Sequence, residues 1–259
     1  MQLKPYRLIR WSYAVVSLLY LFSIHPFLSL FYGPEAVCPG RVTSSHWETS
    51  IWWVAAANVI VLMAGRWIRV TAVIQYLCLA FFFLSPCRES NYGDQIFVST
   101  AFLLMFLPSN DQSNDPWLQR TLMLFLCTLY AVPILARIPG SHWWDGTASW
   151  IALADPSTSR VWRLLVDKDP HRLPVWMFYA ITHATLAYEG LFPVLIWVRK
   201  LRAPLVIAGL IFHATMGLML DLGLFPFVMG VLLIACLPDF IFASEKASDP
   251  KTPEPHPTA

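Results

Sequence analysis

Glu189 and His213 are the residues of this sequence whose positions most invite a chemical role. Each stands inside a long apolar run, and an ionisable group in such a run is costly enough to mark a functional-site candidate by default. The two runs, 175–198 and 203–221, are joined by a very short basic turn. Counted from that turn, Glu189 lies about ten residues back and His213 about eleven on, which at about 1.5 Å per helical residue puts both about 15 Å deep. Depth therefore permits a Glu189–His213 pair. Gly209, His213 and Gly217 are spaced four apart and share one helical face, where small residues let another helix approach closely. Three roles stay open for the two ionisable groups: a structural hydrogen bond between helices, a proton-handling or ligand-binding pair, and no pairing at all.

A second set gathers toward the opposite ends of the apolar runs. His25, Asp94, Arg137 and Asp221 lie near those ends, with His46, Asn91, His142, Asp145 and His171 in the connections beyond them. His183, with Tyr179 one turn away, is placed to line the same space. Together they read as a polar vestibule, although helix ends near water carry such groups in any case. Metal chemistry is not expected, because the five cysteines show neither CxxC nor Cys/His ligand spacing. Cys38 and Cys87 fall in the first two outer connections, where an oxidising compartment would favour a disulfide; two free thiols are the alternative. No P-loop, nucleophile elbow, HExxH or dinucleotide fingerprint occurs.

Composition says what must position these groups. The 259 residues are 57% hydrophobic and 13% charged, with a mean hydropathy of +0.54, against about 25% charged in a soluble domain. Disorder, a coiled coil and a disulfide-stapled secreted module are excluded by that balance, and a formal net charge of +2 leaves no nucleic-acid footprint. The expected fold is all-α: a polytopic membrane bundle with helices near 11–32, 49–66, 69–86, 94–108, 117–137, 175–198, 203–221 and 223–243. The fourth is the shortest and could be re-entrant or tilted. The first, although preceded by Lys4, Arg7 and Arg10, is too long for a signal-peptide core and reads as a retained helix.

Charge sets the orientation. With eight spans, Lys4, Arg7, Arg10, Arg66, Arg69, Arg120, Arg199, Lys200 and Arg202 fall in short connections on one side, and only Arg41 and Arg88 in those on the other. The positive-inside rule then puts both termini in the cytoplasm. The long connection 138–174 lies outside, and its mix of Trp143, Trp144, Trp150 and Trp162 with basic residues reads as an amphipathic loop in the headgroup layer. The division is a transmembrane domain over 1–243 and a proline-rich, disordered cytoplasmic tail over 244–259. Asn58 and Gln75 read as hydrogen bonds between helices.

Three ordered stretches resemble the HTTM domain, the membrane region shared with vitamin K-dependent gamma-carboxylases. In CRESNYGDQIFVSTAFLLMFLPSNDQSND, residues 87–115, Arg88 and Asp94 match the family's first motif, with Cys87 where a histidine is common. In YAVPILARIPGSHWWDGTASWIAL, residues 130–153, Trp143, Gly146 and Ala148 are in place. From His183 to Pro226, the order Glu189, Pro193, Arg202, His213, Gly223 and Phe225 is similar to the third block. The resemblance implies a multi-helix membrane domain whose site faces the outer side. It adds Arg88 and Trp143 to the vestibule and gives Arg137, Glu189 and His213 the catalytic positions.

In the carboxylases a lysine deprotonates a vitamin K hydroquinone, whose oxygenation leads to carboxylation of peptide glutamates. Here that position holds Arg137, and a guanidinium stays protonated in proteins, so it suits an anion or a quinone oxygen better than the role of base. The carboxylases' large lumenal domain is not expected either, since the sequence stops shortly after the last span. The resemblance is to stand-alone bacterial members, which include maturation proteins for sporulation-delaying toxins. It implies a bacterial inner-membrane protein acting on or with an extracytoplasmic peptide, as a maturation factor for a secreted peptide. The alternative is a quinol-dependent enzyme using a vitamin K-type cofactor, and the third is a small-molecule transporter.

Overall fold

A computed structural model describes residues 5–29, 47–83, 92–107, 116–162 and 174–237. Among them the regular elements are helical: α1 (Pro5–Ile24), α2 (Trp47–Ala64), α3 (Ile68–Phe83), α4 (Tyr92–Leu104), α5 (Pro116–Arg137), α6 (Ser141–Trp144), α7 (Ala148–Ala154), α8 (Val175–Leu195), α9 (Arg199–Met219) and α10 (Phe225–Ile234). A helix overlaps each of the eight apolar segments. Among the described residues four stretches are long and apolar enough to cross a membrane: Tyr6–Phe27, Trp47–Ala64, Trp117–Arg137 and Arg199–Met219. Ile68–Phe83, Gly93–Leu104 and Phe225–Ile234 are shorter apolar helices. At 13 residues, α4 rises about 20 Å, against a hydrocarbon core of about 30 Å.

The sequence of α1 shows why these helices suit a lipid environment. Ile9, Tyr13, Val16, Tyr20 and Ile24 recur every three or four residues and are buried, forming the stripe by which an amphipathic helix packs. The opposite face holds Val15, Leu19 and Phe22, apolar and exposed. Water would demand polar groups there. The same two-sided pattern places Ile60, Leu77, Leu124, Leu135, Ile207, Ile211 and Leu218 on the outer surface, far more apolar area than a soluble monomer presents. Several exposed tryptophans, Trp47, Trp67, Trp117 and Trp176, lie at or beside helix ends, as expected of an interfacial belt.

Packing runs around α10. Its sequence FPFVMGVLLI is apolar on every side, the mark of a buried helix, and it touches α1, α4, α5 and α9. Helices α1 to α4 pack in succession, α8 packs on both α5 and α9, and α6 and α7 rest against α8. Asn58 donates from Nδ2 to the Thr71 carbonyl (2.8 Å) and to Gln75 Oε1 (3.0 Å), so the expected bonds between helices join α2 to α3. The tight turn between these two helices depends on Gly65: its φ is +72°, and a Cβ there would lie 2.7 Å from Arg10 Nη2. Only glycine satisfies both demands.

The described part of the connection after α5, residues 138–162, differs from the uniform headgroup loop expected of it. Trp144 is exposed, but Trp143 turns back onto Arg137 and Trp150 packs edge-on against Phe178 at 4.9 Å. Helix α7 is tied to α8 by Thr182 Oγ1, which donates to the Gly146 carbonyl (3.0 Å), and by Ser149 Oγ, which donates to the Phe178 carbonyl (2.7 Å).

Candidate functional site

Helices α4, α5, α8, α9 and α10 line an open cavity of about 760 Å³, within the range of about 300–1,000 Å³ typical of small-molecule sites. Most of its wall is apolar, from Ile96, Phe125, Leu129, Met216, Phe225 and Met229. Five of its polar side chains form a short series, Asp221, Arg137, Glu189, Tyr130 and His213, and Gln95, Ser99 and Thr128 line another part of the wall.

Arg137 is the last residue of α5, where a cation also complements the negative end of the helix dipole. Pro139 cannot continue the helix, and Gly140 lets the chain fold back: its amide donates to the Arg137 carbonyl (2.9 Å), and Trp143 N donates to the Gly140 carbonyl (3.2 Å). That turn brings the Trp143 ring centroid to 4.2 Å from Arg137 Cζ, a cation–π contact. On its other side the Arg137 guanidinium donates to Glu189 Oε2. The side chains of Arg137 and Glu189 are 23% and 9% exposed, so most of this ion pair is out of water. Four residues earlier, Pro133 has no N–H for the Leu129 carbonyl, which leaves that cavity-lining residue without its usual helical donor.

Deeper in the wall, Tyr130 Oη and His213 Nε2 are 2.8 Å apart. Nδ1 of His213 is buried without a hydrogen-bond partner. A buried N–H left alone is worse than a lone acceptor, so the favoured tautomer keeps its proton on Nε2 and donates to Tyr130. The Tyr130 and Tyr188 hydroxyls interact in turn, and Tyr188 donates to the Leu205 carbonyl (3.2 Å). Gly209 makes room for this chain. A Cβ at that position would run into the Tyr188 hydroxyl and lie 3.0 Å from both terminal methyls of Leu233, while one at Gly217 would lie 2.8 Å from Pro226 Cγ. The small residues flanking His213 therefore admit α8 and α10.

At the mouth, residues 158–160 are strapped to the end of α9. The Arg160 amide donates to the Met219 carbonyl (2.9 Å), the Asp221 amide to the Thr158 carbonyl (2.6 Å), and Arg160 Nη2 to Asp221 Oδ1 (2.7 Å).

These positions revise the expected partnerships. Glu189 and His213 share the cavity, but Glu189 pairs with Arg137 and His213 with Tyr130, because the two side chains leave their helices in different directions. Of the vestibule residues, Asp221 lines the mouth and Trp143 backs Arg137. His25 instead meets Trp52 at 4.7 Å between ring centroids. Asp145 is exposed and bonds to Thr147. His183 stacks on Tyr179 with centroids 4.0 Å apart. Asp94 is buried between the cavity-lining Gly93 and Gln95. Arg88, Asn91, Cys38 and Cys87 lie outside the described residues, whereas Cys78, Cys127 and Cys236 are free and buried.

Hydrogen bonds from Thr147 Oγ1, and then from its backbone N–H, hold the Asp145 carboxyl below the usual aspartate range. Among the described residues no group of three metal-ligating side chains occurs. The apolar run around Tyr130 does not mark it as a site residue; the available signal is its place seven residues before Arg137, and so on the same helical face.

No protein-family model, curated protein or solved structure matches the chain.

Proposed function

We propose that this is an eight-span HTTM-type protein of a bacterial inner membrane, with both termini cytoplasmic, and that its cavity binds a small amphipathic molecule with an apolar body and an oxygen-bearing head. The observation that carries the reading is the combination of an apolar 760 Å³ cavity with a guanidinium held at its polar end by Glu189 and Trp143. A guanidinium offers five donors in a rigid fork, suited to a carboxylate, a phosphate or a carbonyl oxygen. Tyr130 presents a second polar station two turns further along α5.

The donor set fits a quinone-type molecule, whose ring suits the apolar wall and whose oxygens need donors. Such a molecule would bring a redox-active ring. Arg137 would hold one oxygen, the apolar wall would exclude water, and the His213–Tyr130 bond would fix the hydroxyl facing the ligand. Arg137 would orient rather than accept a proton.

Action on an extracytoplasmic peptide, as in maturation of a secreted peptide, is the accompanying reading, with Asp221 and the strap at the outer mouth as the place where a peptide would meet the site. Mass spectrometry of small molecules and peptides co-purified with the protein tests both readings. The cavity reading expects a bound amphiphile that is lost on Arg137→Ala; an unchanged amphiphile content in that variant would refute it.

A further inference from the structure

The cavity wall is interrupted on one side. Gln95 and Ser99, one turn apart on α4, and Thr128 and Val132, one turn apart on α5, line the cavity and are exposed. Gln95 and Ser99 lie three and seven residues from the start of α4, and Val132 and Thr128 five and nine from the end of α5. At about 1.5 Å per residue the two rows occupy comparable depths. Both helices pack against α10, and the slot runs between them. Thr128 returns its hydroxyl to the Leu124 carbonyl (3.0 Å), so its side chain does not bridge the slot. The outer mouth, by contrast, is crossed by the bonds between residues 158–160 and 219–221 and by the Arg160–Asp221 pair.

From these features, and resting on the reading of the cavity as a ligand site, we infer that the slot between α4 and α5 is a lateral portal through which a membrane-dissolved amphiphile reaches Arg137 directly from the bilayer. The polar side chains on an otherwise lipid-facing surface then have a purpose. Gln95, Ser99 and Thr128 give a polar head a graded path past the lips, where an uninterrupted apolar face would strip it of every partner. The ligand's apolar body stays in hydrocarbon throughout.

The test uses menaquinone-4 as the probe, with the full chain in lipid nanodiscs. Ser99→Cys and Thr128→Cys are each labelled after folding with a bulky maleimide, so folding is complete before the slot is blocked. The unsubstituted chain treated in the same way is the baseline. A portal predicts that association and dissociation slow together, each by about tenfold. Arg160→Ala, which loosens the outer strap, should leave both rates unchanged.

Unaltered rates in the labelled variants, or faster exchange in Arg160→Ala, would overturn the portal while leaving the cavity as a binding site. A loss of affinity through dissociation alone would make the two side chains ligand contacts and would overturn it as well. If the unsubstituted chain fails to bind the probe, the cavity reading falls for this ligand class, and the portal falls with it.

Discussion

Gly209→Ala sets two opposed effects against each other. In a helix interior alanine is favoured over glycine by about 1 kcal/mol, so a bundle held by propensity alone would gain stability. The structure assigns the opposite sign. The new methyl would occupy the place of the Tyr188 hydroxyl and press on both Leu233 methyls at 3.0 Å. Displacing the hydroxyl loses its bond to Leu205, worth about 1 kcal/mol, and forcing a methyl into a filled contact costs about 1–3 kcal/mol. After the propensity gain, a net loss of about 2 kcal/mol remains.

The companion variant is Tyr188→Phe, which removes the oxygen the methyl strikes. In that background Gly209→Ala should cost about 1 kcal/mol less than it does alone, a coupling of the size neighbouring residues show. Equilibrium unfolding in mixed detergent micelles reads all four corners of the cycle. If Gly209→Ala is stabilising, or the two changes simply add, the close approach of Tyr188 to α9 is refuted.

Three other expectations follow from separate parts of the molecule. Glu189→Gln leaves the Arg137 guanidinium without its counter-charge; breaking a fully buried pair costs about 3–5 kcal/mol, and discounting for the arginine's partial exposure gives about 2 kcal/mol. Arg137→Met combined with Glu189→Gln should recover most of that loss in the same unfolding assay. Asn58→Ala, which strips partners from the Thr71 carbonyl and Gln75, should cost about 2–3 kcal/mol. Because the Asp145 pKa is depressed in the folded chain, its contribution is present above the ordinary aspartate value of about 3.9 and is lost as pH falls through the lower folded value. Carboxyl NMR titration should show this pKa rising in Thr147→Val and unmoved in the distant Asn58→Ala.

The apolar segments announce their helices because burial and lipid both select the same residue types, but segment length is a poorer guide. The run 94–108 reads as a span, yet its helix closes at Leu104. Depth along an axis was equally legible: Glu189 and His213 do share one cavity. Their partners were not, because residue counting fixes height and leaves open the rotation of one helix about another. Arg137 was legible as a site residue at a helix end, but the fold-back that turns Trp143 onto it was not, because it depends on a short turn around Pro139 and Gly140. His25 shows the converse. Its place at a helix end suggested the vestibule, but the neighbouring α2 puts Trp52 against it.

The central position of α10 also has a consequence in time. A chain is made from its N-terminus onward, and α10 is the last of these ten helices to be synthesised, although α1, α4, α5 and α9 all pack upon it. Until it arrives, the earlier helices surround a vacant axis, with Met229 and Phe225 still missing from the cavity wall. Assembly of this bundle is therefore gated at its end, and a nascent chain halted before Phe225 carries every ionisable residue of the site without the apolar floor that encloses them.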